Sequence, residues 1–152
     1  MNLDKNDGAV YKTFIQELLT SPFTADLTTL NGVAFYGTTA IDRLNFNSAK
    51  VVCPYKVDLG SSETFKLSIA IKSSNDLASM GSATTLVDAA LIATGTTTLN
   101  DTYELDLDLS EYKQYIQIGV LPLLSAANTD SLSLGVVVDL LGSVKGIVTK
   151  SA

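Results

Sequence analysis

The chain has 152 residues, a formal net charge of −6, no histidine and a single cysteine, Cys53. That length fits one domain with a core of its own; one cysteine excludes an intramolecular disulfide, and ten basic residues with no cluster among them argue against a nucleic-acid partner. Without histidine, Ser-His-Asp, Cys-His and histidine-metal arrangements are missing, and no phosphate-binding glycine loop follows a strand pattern. The composition therefore predicts no enzyme, no cofactor and no metal site.

Residues 1–7 lack the basic and apolar regions of a signal peptide, and no apolar run approaches the length of a membrane span, so a soluble, unexported protein is expected. Tyr11, Phe14, Ile15, Leu18 and Leu19 recur at helical spacing and predict a short helix or arm closed by Ser21-Pro22. Its apolar side has to cover either the end of its own barrel or a neighbouring subunit. Asn31-Gly32 is a tight-turn signal, because both residues tolerate positive φ.

Regular alternation begins at Val51, Cys53, Tyr55, Val57 and Leu59, with Pro54 pointing to a sheet edge or a bulge. Phe65, Leu67, Ile69 and Ile71 give a second half-buried strand, and residues 83–93 give one or two strands around Asp88. The clearest signal is 103–109, where Tyr103, Leu105, Leu107 and Leu109 alternate with Glu104, Asp106 and Asp108. A period of two sends the first set to a dry face and the second to a wet one. Tyr115 to Leu121 follows after a connection short enough for an antiparallel neighbour, and Leu132, Leu134, Val136, Val138 and Leu140 share one parity in a last long strand. About eight antiparallel strands with regularly spaced turns describe an all-β, jelly-roll-like β-sandwich or barrel, with the short N-terminal helix or arm in front.

Candidate chemistry is sparse. Cys53 shares parity with Tyr55 and Val57 and reads as a small buried hydrophobe. Alternate carboxylates on the 103–109 strand stand about 7 Å apart, wide for shared coordination of one ion. They read as a solvated face, or as one paired with lysines on a neighbouring strand such as Lys66 and Lys72. Tyr103, Tyr112 and Tyr115 read as core or interface packing. Charged residues are only 17% of the chain, against about 25% in ordinary domains. A surface rich in hydroxyls loses less side-chain entropy when it packs on other subunits.

The segment from Lys50 to Gly142 resembles the small jelly-roll capsid cement, or decoration, proteins of tailed bacteriophages. The resemblance is carried in order by Phe65-Lys66-Leu67-Ser68-Ile69-Ala70-Ile71-Lys72 running into Ser73-Ser74-Asn75-Asp76, the apolar stretch ending at Ala93-Thr94-Gly95, Tyr115-Ile116-Gln117-Ile118-Gly119-Val120, and Leu132-Ser133-Leu134-Gly135-Val136-Val137-Val138-Asp139. It implies a jelly-roll core over 48–142, preceded by an arm and first strands over 1–47 and followed by a tail over 143–152. It further implies a virion structural protein on the outer capsid surface, made in the host cytoplasm, that binds the major capsid protein as a homo-oligomer, a trimer being favoured. No catalytic residue is implied. Tyr11, Phe14, Ile15 and Leu18 are the expected capsid or subunit contact. The alternative reading is a carbohydrate- or receptor-binding β-sandwich of a phage tail or fibre.

Overall fold

The computed structural model describes residues 12–20, 28–30, 33–37, 40–95, 97–126 and 129–143, with side chains from position 40 to 142 within those ranges. Ten strands run in chain order: β1 Lys12–Thr20, β2 Thr28–Leu30, β3 Val33–Gly37, β4 Ile41–Asp42, β5 Phe46–Leu59, β6 Thr64–Ser74, β7 Ala83–Thr94, β8 Thr97–Asp108, β9 Tyr115–Leu124 and β10 Ser131–Ser143. Among the described residues no helix is long and apolar enough to cross a membrane.

The strands form two antiparallel sheets. One has the order β1-β10-β5-β8; the other runs β2-β3-β9-β6-β7, with β4 also paired to β9. β2, β3 and β4 belong to the second sheet; from β4 onward the chain passes back and forth between the sheets, the long β6–β7 hairpin alone staying within one. Two four-strand orders interleaved in this way, β1-β10-β5-β8 and β3-β9-β6-β7, make a double-sheet jelly roll. The fold class expected from the strand pattern is thus the fold observed.

Parity decides what lies between the sheets. From β5 come Val51, Cys53, Tyr55, Val57 and Leu59; from β6 Phe65, Leu67, Ile69 and Ile71; from β9 Ile116, Ile118 and Val120; from β10 Leu132, Leu134, Val136, Val138 and Leu140, all buried. Each such side chain contributes about 1.5–3 kcal/mol by leaving water. Tyr55 and Phe65 meet edge to face across the gap, with ring centroids 5.3 Å apart, a pairing worth about 0.5–1.5 kcal/mol beyond its area.

Four expectations need correction. Residues 12–20 are a strand, not a helix: β1 pairs antiparallel with β10, and a bulge sets Gln16 opposite Val136 but Leu19 opposite Leu134. The extra residue changes parity midway, so a spacing that imitates helical turns is absorbed by two short runs of ladder. Pro54 lies in the interior strand β5, neither at an edge nor at a bulge, since the register is constant on both sides; its missing donor is tolerated because the ladder towards β10 lapses between Tyr55–Leu134 and Val52–Val137. Strand β9 is not the sheet neighbour of β8: β8 pairs with β5, whereas β9 lies between β3 and β6. The connection at 109–114 carries the chain across the end of the sandwich, anchored by the fully buried Leu109. Finally, the lysine beside the acidic face is Lys50, since Lys66 and Lys72 belong to β6 in the other sheet. Residues 83–93 fall in one strand, and Leu30 pairs with Val33, while the turn expected at Asn31-Gly32 lies outside the described residues.

Candidate functional site: two outer faces and the loop end

The wet face of β8 is built by its register. Asp108 lies opposite Ser48, Asp106 opposite Lys50 and Glu104 opposite Val52, in a ladder that runs unbroken from Ser48 to Leu59. On the far side of β5, Lys50 is opposite Asp139 of β10. Lys50 Nζ lies 2.7 Å from Glu104 Oε2. The hydrogen bond from that ammonium to Glu104, then the Glu104 charge and the more distant Asp106 and Asp139, hold the Lys50 pKa above the usual lysine range. Asp108 is held below the usual carboxylate range by the Ser110 N–H and hydroxyl that it accepts from. Both groups face water, where a pair of this kind contributes little to stability. Beneath this face, burial alone pushes the Cys53 thiol up to about 12. Burial first and Asp101 second raise Tyr55. A thiol so placed is neither a nucleophile nor a ligand near neutral pH.

The outer face of the other sheet has a different character. Lys66 of β6 is opposite Leu91 of β7 on one side and Leu123 of β9 on the other, so the three form a row across three strands. All three are exposed, Leu91 by 58% and Leu123 by 40%. In the next row, Ser68 is opposite Leu121, and its hydroxyl accepts the Ala89 N–H at 2.9 Å. Ala89 has φ +44°, and β7 departs from regular pairing with β6 three times along its length.

Loops collect at one end, where the sandwich is tied by Arg43. Its Nε donates to Lys113 O at 2.9 Å, Nη1 to Phe46 O at 3.1 Å and Nη2 to Tyr112 O. The five-donor fork of a guanidinium is suited to gathering several carbonyls in this way. It joins the β4–β5 turn to the β8–β9 crossing, while Gln114 N–H donates to Asn75 Oδ1 at 3.3 Å and brings in the β6–β7 loop. Leu44 and Leu77 stand exposed on these loops, by 55% and 58%. At the opposite end the buried Asp130 accepts the Gly60 N–H at 2.9 Å.

Of the expected contact residues, Phe14, Ile15 and Leu18 fall within β1, at the edge of the four-stranded sheet remote from β8; Tyr11 lies outside the described residues. Phe14 is opposite Val138 and Ile15 opposite Val137. Among the described residues, no three side chains of the His, Cys, Asp or Glu type converge as metal ligands. Sequence reasoning missed the Arg43 junction and the Leu91–Lys66–Leu123 row. Only strand registry creates either one. The usable hint in the sequence was Leu123, an apolar residue just beyond Pro122 on the parity of Gln117.

No family model matches the chain, and no curated protein matches it. Among solved structures it is similar to the VP2 subviral particle of infectious bursal disease virus, at 12% identity and a TM-score of 0.47, covering 86% of this chain and 33% of that one. It is also similar to the structure of the Gx strain of the same virus, at 12% identity, a TM-score of 0.45, and coverage of 88% and 34%. A third likeness is to the D431N mutant VP2 of that virus in T=1 particles, at 15% identity, a TM-score of 0.45, and coverage of 93% and 36%. The chain spans about a third of the length of these structures.

Proposed function

We propose that this chain is a virion structural protein, a capsid cement or decoration protein that sits on the outer surface of a tailed-phage head and holds neighbouring major capsid subunits together. It acts by contact and not by catalysis, with no cofactor, and as a homo-oligomer for which a trimer is the favoured state. The observation that carries this reading is where the resemblance falls. Lys50 to Gly142 is the run from β5 to β10, which supplies six of the eight strands of the double-sheet jelly roll. A rigid β-sandwich bridging two subunits adds contact area that must be lost before they part. Binding to the assembled shell and not to free subunits stabilises the shell by mass action. β1, with Phe14, Ile15 and Leu18, offers a sheet edge for that contact.

Co-sedimentation with undecorated phage shells tests the proposal: saturable binding that raises the melting temperature of the shell is expected. Failure to bind any shell would overturn it. The second reading, a glycan- or receptor-binding sandwich, is favoured by one observation, the exposed Leu44 and Leu77 on loops held by Arg43 and by the Gln114–Asn75 hydrogen bond respectively, since rigidly supported loops are where binding residues concentrate. Glycan-array binding that is lost in Leu44→Ser and Leu77→Ser variants, with no shell binding, would select it.

A further inference from the structure

The two outer faces are unlike each other in charge. On β5, β8 and β10, the outward parity carries Asp58, Glu104, Asp106, Asp108 and Asp139 against Lys50 and Lys56, with Val52, Pro54 and Val137 among them. On the other sheet the Leu91–Lys66–Leu123 row contains no carboxylate, and Lys66 makes no ion pair among the described residues. The carboxylates of that sheet are Asp42, at the loop end, and Asp88, in the bulged edge strand β7. An exposed lysine flanked by two exposed leucines can bury its stem against them while its ammonium meets an acceptor. The acidic face offers that acceptor, with valine and proline side chains close by for the leucines.

We propose that copies of this chain associate head to tail, the Leu91–Lys66–Leu123 row of one copy resting on the acidic outer face of the β10-β5-β8 sheet of the next. Pairing of two acidic faces is opposed by their own charge, and pairing of two Lys66 rows brings lysine to lysine, so the complementary combination is front to back. Such a contact uses different surfaces on the two copies. It closes into a ring where the rotations complete a turn and otherwise extends as a filament. The row is small beside the roughly 800 Å² per partner of a standard interface, so each contact is weak by itself and gains through repetition. This association does not depend on a virion role and stands or falls separately from it.

Sedimentation velocity of the full chain, from micromolar to about 1 mM and at about 0.05 M and 0.5 M salt, tests it. Association that grows with concentration and weakens with salt is expected. Lys66→Glu and Asp106→Lys are each expected to lower the association constant at least about tenfold, and an equimolar mixture of the two variants to recover it. Leu91→Asn, equally exposed, should weaken association without reversing any charge. Unchanged circular dichroism and thermal midpoints verify that the variants fold. A monomer at every concentration, association indifferent to both charge reversals, or a mixture that fails to recover would overturn the proposal.

Discussion

Strands β7 and β8 are consecutive in the chain and each ends a sheet, yet they protect their open edges by different means. β8 keeps perfect register with β5 over its whole length and sets Glu104, Asp106 and Asp108 outward. An incoming strand would have to desolvate those carboxylates. β7 has a single charge, Asp88, but breaks register with β6 three times and holds Ala89 at positive φ. Charge guards one edge and irregular backbone the other, both recognised ways to discourage edge-to-edge pairing. A regular edge must be made repulsive; an irregular one can remain apolar, which is why exposed Leu91 is tolerated where it is.

The largest effect that sharpens this contrast comes from matched leucines. Leu109, just past β8, is fully buried, whereas Leu91 on β7 is 58% exposed. Leu109→Ala should cost about 2–5 kcal/mol and Leu91→Ala no more than about 0.5 kcal/mol, read from urea midpoints. Equal losses would mean that Leu91 is buried in solution. A second pair of substitutions probes the backbone. Ala49→Gly, at a buried site in regular β5, should cost about 1–2 kcal/mol. Ala89→Gly should be neutral or slightly stabilising, because relief of the positive φ offsets the added freedom of the unfolded chain. Next, Ser68→Ala removes the hydroxyl that receives the Ala89 N–H and should cost about 1 kcal/mol, with faster amide exchange at Ala89 and not at positions in β8.

The smallest effects are electrostatic. Asp108 should titrate by NMR below the usual carboxylate range. Its folded pKa is depressed, so its stabilising contribution is complete above the unfolded value near 3.9 and is lost as the pH falls through the lower folded value. Lys50 is the opposite case: its folded pKa is raised, so its contribution is complete below the unfolded value and is lost as the pH rises through the folded one. Lys50→Met should leave the urea midpoint near neutral pH almost unmoved, since both partners of the Glu104 pair remain wet.

The contrast also explains what could be read from the sequence. The 103–108 half of β8 was legible because a faultless period of two survives where pairing is regular; residues 97–102 pair just as regularly with β5 but carry no such alternation. β7 left open whether it was one strand or two, since each extra residue flips parity and erases the signal. β1 was misread for the same reason, its bulge imitating helical spacing. Parity says which face of a strand is wet but not which sheet holds it, so Tyr115 to Leu121 was placed beside β8 when it belongs to the other sheet. The expected contact residues could not be weighed by pattern at all. The Leu91–Lys66–Leu123 row was invisible because it joins three strands through two different registers.

The position of β10 has a consequence for how the chain folds. It fills the slot between β1 and β5, with Lys12 opposite Leu140 and Leu132 opposite Val57. During synthesis β1 therefore waits without its partner until residues 131–143 have emerged, and β5 is left with one side of its ladder open. Pairings of such long sequence separation are slow to form and leave apolar strand edges exposed meanwhile. A late strand thus joins the two earlier ones, and a chain interrupted before residue 131 would leave β1 and β5 without the strand that lies between them.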